Sequence, residues 1–371
     1  MALSDPFPTL GRLAKECGQN WRGFSLAAKE TAKFKRRIRN ALRSAGPGSR
    51  FLDADSCLVI FGSFARHEMV SSSDLDWAVL VDGVVNANHS EQTRAVARAL
   101  QTAKIIEPGT SGVFGGMVFS HDLVHFIGGT QDSNENLTRR ILMLLESSFI
   151  EIRDSDNSER VWENVVKNIL KRYFEEDVHF RPGRHRVPRF LLNDITRYWR
   201  TICVDYAAKH REQDGKKWAL RNAKIRLSRK LLFAAGVAFC FNCQLSPPPA
   251  NGSAGIPSVQ TFIKSALEFA RTPPLEYLAQ FISAHVTGRS KRKRVIRNIF
   301  GSYNRWLLLM RNPRVRRALT ELTHSDASNR VEFKQVRNLG SQFAAGLREL
   351  FFNRCMDADK IANLSLDYVG F

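Results

Sequence analysis

The chain is poor in the features of a disulfide-stapled, secreted or membrane-spanning protein. Six cysteines in 371 residues form no framework, and the one close pair, Cys240 and Cys243, has no second pair to complete four zinc ligands. All six read as reduced thiols. Met1 to Gly11 lacks a basic start followed by an apolar run, so no secretory signal is expected. The longest apolar stretch, Leu231 to Leu245, falls short of the ~20 residues that cross a bilayer and is broken by Asn242. No internal repeat is found, and a cytoplasmic protein is the expectation. Acidic residues are scarce as well: 36 Asp and Glu stand against 56 Lys and Arg, a formal net charge of +20. Such a field concentrates polyanions, so nucleic acid, nucleotides or an anionic membrane surface are candidate partners, although a merely solubilising surface has the same charge.

What is present is enough for folded domains. Hydrophobic residues make up 43% and charged residues 25%, ordinary values for a globular chain, and single cores stop growing near roughly 250 residues, so two domains are expected. Phe24 to Ser44 has apolar residues at helical spacing and a basic run from Lys33 to Arg39, which predicts an amphipathic helix ended by Ala45-Gly46-Pro47-Gly48. Ser56–Phe61 and Leu75–Val81 read as short buried strands, Glu91–Lys104 as a helix, Val113–Phe126 as glycine-interrupted and β-rich, and Glu135–Ser147 as a helix. The polar stretch Arg153 to Glu159 reads as a boundary, and helical patterns fill the remainder to about Cys355. The expected architecture is an α/β (α+β) core at 1–155 with a mixed sheet, then an all-helical domain at 156–371 with a surface loop at 246–257.

One segment carries chemistry. Gly62-Ser63 follows the first strand, and Asp74-Leu75-Asp76 opens the second. Alternation in an extended chain puts Asp74 and Asp76 on one face with Leu75 and Trp77 on the other. Two carboxylates together are hard oxygen ligands suited to Mg²⁺, or Mn²⁺, which commonly also binds substrate phosphates. Glycine lets backbone amides approach a phosphate closely, and the Ser63 hydroxyl can add a hydrogen bond. In-line attack of a hydroxyl on the α-phosphorus, with pyrophosphate leaving, is the reaction such a site suits. The other reading of the same residues is a serine-rich surface turn, Ser71 to Asp74, leading into an edge strand.

Gly62, Ser63, Asp74 and Asp76 resemble the signature of the polymerase-β-like nucleotidyltransferase superfamily. That resemblance implies a small mixed sheet with helices on one side and a helical domain closing over a nucleoside triphosphate. It implies catalytic, metal-holding roles for Asp74 and Asp76, and nucleotide contacts from Gly62, Ser63, Arg66 and Ser73. A third carboxylate on a neighbouring strand is also implied. Asp122 is the first candidate, with Asp132, Glu135 and Glu146 open, and Asp122 as a helix or turn cap is the alternative. The first half, with Asn136 to Ser147, is similar to PII-uridylyltransferase-like nucleotidyltransferase domains. The whole chain resembles stand-alone nucleotidyltransferases of bacterial anti-phage systems, including the Hailong type. For these, the resemblance implies synthesis of short single-stranded DNA that restrains a membrane effector.

The helical half offers basic faces. Arg221 and Lys224 lie one turn apart and are candidates for the β- and γ-phosphates, while Tyr198 or Trp199 could stack on a base or simply fill the core. Arg289, Lys291, Arg292, Lys293 and Arg294 form a dense cluster suited to a single-stranded acceptor or product, or to anionic lipid, or to plain solvation. Tyr368, near the end of the chain, is a candidate priming hydroxyl, with packing on the helices as the alternative. Three functions are carried forward: nucleotidyl transfer that builds oligonucleotides, nucleotidylation of a protein side chain, and a degenerate fold that only binds nucleic acid.

Overall fold

The computed structural model describes residues 5–45, 52–71, 73–106, 108, 113–153, 157–183, 186–212, 217–249, 256–324, 330–353 and 359–369. Half of the expected 246–257 loop, part of the expected boundary near 155, Ser72 and the Gly46–Gly48 stop lie outside these residues. The elements begin α1 (Pro8–Glu16), α2 (Arg22–Ala45), β1 (Ser56–Phe61), β2 (Trp77–Val81), α3 (Ala87–Thr102), β3 (Met117–Phe119) and α4 (Ser120–His125). They continue with α5 (Asn134–Leu145), β4 (Ser147–Ile150), α6 (Ser158–Glu175), α7 (Arg189–Glu212), α8 (Trp218–Lys224), α9 (Lys230–Leu245), α10 (Val259–Arg271) and α11 (Pro274–His285). The last are α12 (Arg289–Ile296), α13 (Ser302–Arg311), α14 (Pro313–Glu321), α15 (Val331–Phe352) and α16 (Lys360–Tyr368). Two π-helical turns, Ile225–Arg229 and Arg297–Gly301, join α8 to α9 and α12 to α13.

The expected mixed sheet is present, in the order β3-β2-β1-β4. β1 runs antiparallel to β2, with Ser56 opposite Val81 and Ile60 opposite Trp77, and antiparallel to β4, with Phe61 opposite Ser147. β3 runs parallel to β2, with Val79 opposite Met117. Every residue of β1 and β2 is buried, which requires cover on both faces. One face, through Leu58, Ile60, Trp77, Val79 and Val81, packs with Phe34, Ile38 and Leu42 of α2 and Val96 and Leu100 of α3. The other lies against α6, whose Trp162 ring sits 5.8 Å from Phe149 and whose indole N–H donates to Ser147 Oγ at 2.8 Å. Helices on one side alone, as the resemblance implied, are thus replaced by helices on both.

The compact units are interleaved along the chain. One comprises 1–3, 27–184 and 248–273, so that α6 and α10 belong with the sheet rather than beyond a boundary near 155. Phe174 of α6 and Phe262 of α10 stack at 6.3 Å, which explains the grouping. The other comprises 4–26, 185–247 and 274–371 and is helical throughout its regular elements. In it the apolar run expected to be too short for a membrane forms α9, buried on nearly all sides. Among the described residues no helix is long and apolar enough to cross a membrane. The α1 N-terminus is capped by the buried Glu276 carboxylate, which accepts from the amides of Thr9 at 2.9 Å and Leu10 at 3.1 Å.

Candidate active site

The site begins where β1 ends. Gly62 adopts φ +70°, a conformation favouring glycine, and a β-carbon there would stand 2.9 Å from Asp76 Oδ2. The turn is closed by the Arg66 amide donating to Gly62 O at 3.1 Å and the Glu68 amide donating to Ser63 O at 2.7 Å. The amides of Gly62 and Ser63 themselves meet no acceptor among the described residues. Ser63 is half-buried, its hydroxyl 3.3 Å from Met69 Sδ.

Asp74 and Asp76 lie on the extended lead-in to β2 rather than within it, and the Phe61 amide donates to Asp76 O at 2.8 Å, continuing the ladder by one residue. Alternation is as expected: Leu75 and Trp77 are 1% and 3% exposed in the core, while Asp74 and Asp76 are both half-buried on the other face. The structure therefore brings Gly62, Ser63 and Asp76 together at one end of the sheet, with Asp74 on the same face as Asp76.

Arg66 and Ser73 are used otherwise. Arg66 is 6% exposed and forms ion pairs with Glu68, at 2.8 Å, and with Glu146. Its guanidinium thus braces the turn from inside. Ser73 is buried and its hydroxyl accepts from the Val70 amide at 3.2 Å, which fixes the bend before Asp74. His67 between them holds φ 58°, and burial, with Lys35 nearby, pushes its pKa down to about 4.

None of the four candidate third carboxylates completes the group. Asp122 lies not on a strand but in the first turn of α4, 43% exposed, 3.5 Å from His121 Nδ1. β3 ends opposite Val81, so Asp122 follows the far end of β2, and the two ends of that strand are roughly 16 Å apart at the rise of an extended chain. Asp132 is bound by both nitrogens of the fully buried Arg140 at 2.9 Å, and Arg140 Nε donates to Tyr173 OH at 2.7 Å. Glu135 pairs with Arg139 at 2.6 Å on the surface of α5. Glu146 is at the right end of the sheet, immediately before Ser147, but its carboxylate holds Arg66.

A cluster with no signal in the sequence, Asp53, Asp55 and His89, gathers oxygen and nitrogen atoms within 4.8 Å of one another at the opposite end of β1. The Asn86 amide donates to His89 Nδ1 at 3.4 Å, and Nε2 faces both Asn86 Nδ2 at 3.4 Å and Asp55 Oδ1 at 3.3 Å. The imidazole completes the capping box at the start of α3 with Asn86, and the side chains of Asp53, Asp55 and His89 form a group that could hold a metal ion. Asp74 and Asp76 are likewise hard oxygen donors of the kind a divalent cation takes.

The remaining predicted residues belong to the helical unit. Arg221 and Lys224 lie in α8. Of the dense cluster, Lys291 pairs with Asp359 at 2.5 Å, Arg292 with Glu16 at 3.0 Å and Arg294 with Glu349, while Arg289 is exposed and Lys293 half-buried. Tyr368 lies under the Arg189 guanidinium, 5.1 Å from the ring centroid. Tyr198 is a core residue at 1% exposure.

Comparison with curated proteins found no match. Residues 23–125 match the family described as "Putative nucleotidyltransferase DUF294", a span that holds α2, both central strands, the Gly62-Ser63 turn and both aspartates. Residues 23–125 are thus nucleotidyltransferase-like in sequence.

Proposed function

We propose that the protein transfers a nucleoside monophosphate from a nucleoside triphosphate to a hydroxyl, releasing pyrophosphate, and that repetition of the step builds short single-stranded oligonucleotides. The observation that carries this reading is the shared half-buried face of Asp74 and Asp76 beside a Gly62-Ser63 turn, within the matched span. Asp74 and Asp76 would hold Mg²⁺ or Mn²⁺, which supplies charge neutralisation at the phosphates. The amides of Gly62 and Ser63 are the turn's donors to a phosphate, and the Ser63 hydroxyl adds another. Arg66 acts from behind, keeping the turn in place through Glu68 and Glu146. The anti-phage setting, with a membrane effector as partner, is the biological context we propose for this activity on the strength of the resemblance described above.

A second reading, a degenerate fold that binds nucleic acid without turnover, is favoured by one observation: Asp122, Asp132, Glu135 and Glu146 are all placed or paired away from Asp76. Purified wild-type and Asp74→Ala/Asp76→Ala protein, given each labelled NTP and dNTP with Mg²⁺ or Mn²⁺, separate the readings. A nuclease-sensitive ladder from wild type alone supports polymerisation and names the nucleotide. A single unit fixed to protein would instead establish nucleotidylation, and no incorporation from folded protein would favour the binding module.

A further inference from the structure

The Arg289–Arg294 cluster neutralises much of its charge inside its own unit, through Asp359, Glu16 and Glu349. A different group of cations forms no ion pair with a carboxylate among the described residues. Arg226 sits in the first π-helical turn, Lys230 opens α9, and Arg348 comes from α15. The Arg226 stem lies on the bare Cα of Gly340, where an added β-carbon would be 3.0 Å from Arg226 Cβ. Gly340, Ala344 and Arg348 recur every four residues along α15, so the stripe that seats Arg226 continues to Arg348. The charged groups acting on Lys230 are Arg226, Arg348 and the Cys203 thiol of α7, with no carboxylate among them. Burial and the two guanidiniums hold its pKa below the ordinary lysine value. Gathering two guanidiniums around a half-buried amine opposes folding, and an anion bound there would offset it.

An aromatic surface adjoins this cluster. Trp199, one turn before Cys203 on α7, stacks on Phe233, three residues after Lys230, with centroids 5.6 Å apart and planes at 25°. Both rings are half-buried, so part of this aromatic surface faces solvent. A lipid headgroup or free phosphate would use the cations alone. A strand whose bases are unpaired uses both cations and rings, because backbone charge and base stacking are separate sources of affinity.

We infer that Arg226, Lys230, Arg348 and Trp199 form a docking surface for single-stranded nucleic acid on the helical unit. It rests on the proposed nucleotidyl transfer only for the strand's identity as acceptor or product, since binding itself requires no turnover.

The test uses full-length Asp74→Ala/Asp76→Ala protein, in which turnover is stopped, and the anisotropy of a labelled single-stranded oligonucleotide across a salt series. Adding Lys230→Gln/Arg348→Gln should weaken binding about tenfold or more and lower the salt slope by roughly 1.4, at ~0.7 for each phosphate that is no longer neutralised. Trp199→Ala should weaken it about tenfold with little change in slope, and circular dichroism checks that α7 still packs. Arg294→Gln should stay within about twofold of the parent. Unchanged affinity and slope in Lys230→Gln/Arg348→Gln would overturn the inference. So would absence of binding at low salt, or binding to phosphatidylserine vesicles and not to the oligonucleotide. Loss of this binding with wild-type incorporation intact leaves the catalytic reading standing, whereas intact binding with no incorporation does the reverse.

Discussion

A β-carbon placed on Gly62 would stand 2.9 Å from Asp76 Oδ2, closer than β-carbons come to other atoms, and the φ of +70° at Gly62 is one that residues with side chains rarely adopt. The glycine therefore serves both the turn and the carboxylate beside it. Gly62→Ala should cost ~1–2 kcal/mol from the left-handed backbone and displace Asp76. A melting curve shifted by only a few degrees with incorporation down about a hundredfold is the expected pair of results, and a stability loss without a loss of incorporation would contradict it.

Arg66 is the reason the turn keeps its shape. Its guanidinium is buried with Glu68 and Glu146, so Arg66→Ala removes the cation that these two buried carboxylates share. Urea unfolding should report a loss of ~3–5 kcal/mol, the usual scale for a buried pair that loses one partner. A loss under about 1 kcal/mol would mean that Arg66 is held less deeply than its ion pairs indicate.

His67 makes the same turn sensitive to acid. Its folded pKa of about 4 lies below the ordinary histidine value of 6.5, so the folded state binds a proton less readily than the unfolded chain. The neutral ring's contribution is complete above about 6.5 and is lost as pH falls toward about 4, amounting to at most ~3 kcal/mol. Asn tolerates the left-handed backbone that His67 occupies, so His67→Asn should flatten the stability profile across that window. An identical profile in the variant would place the acid sensitivity elsewhere.

Asp122 and Asp132 should separate cleanly. Asp122→Ala, on a surface helix past the far end of β2, should leave incorporation within about twofold and stability within ~0.5 kcal/mol. Asp132→Ala should instead destabilise by ~3–5 kcal/mol, because Arg140 would remain fully buried without its carboxylate. A large loss of activity in Asp122→Ala would restore it to the site.

How far the sequence reaches is clear at individual residues. Gly62, Asp74 and Asp76 are legible because a glycine after an apolar strand and a two-residue alternation are local signals. The bracing role of Arg66 is not, since Glu146 stands 80 residues away in the chain, and nothing near Arg66 marks it as buried. The Ser147–Ile150 strand is too short to establish a pattern, so in the sequence it merges with the end of the preceding helix. α6 and α10 are recognisable as helices, but an apolar stripe does not say whether its partner is a sheet or another helix, which is why the boundary near 155 differs from the compact units. The grouping of His89 with Asp55 leaves no local signal, because the two stand 34 residues apart in the chain.

The central claim is that Asp74 and Asp76 act together in nucleotidyl transfer. Its most direct measurement is incorporation of labelled nucleotide by wild type, Asp74→Asn and Asp76→Asn, each with Mg²⁺ and with Mn²⁺, on proteins whose melting temperatures agree. The expected result is incorporation by wild type and a loss of about a thousandfold or more in each variant, since either amide removes a negative charge that would hold the cation neutralising the phosphates. Equal incorporation by all three proteins would contradict the claim.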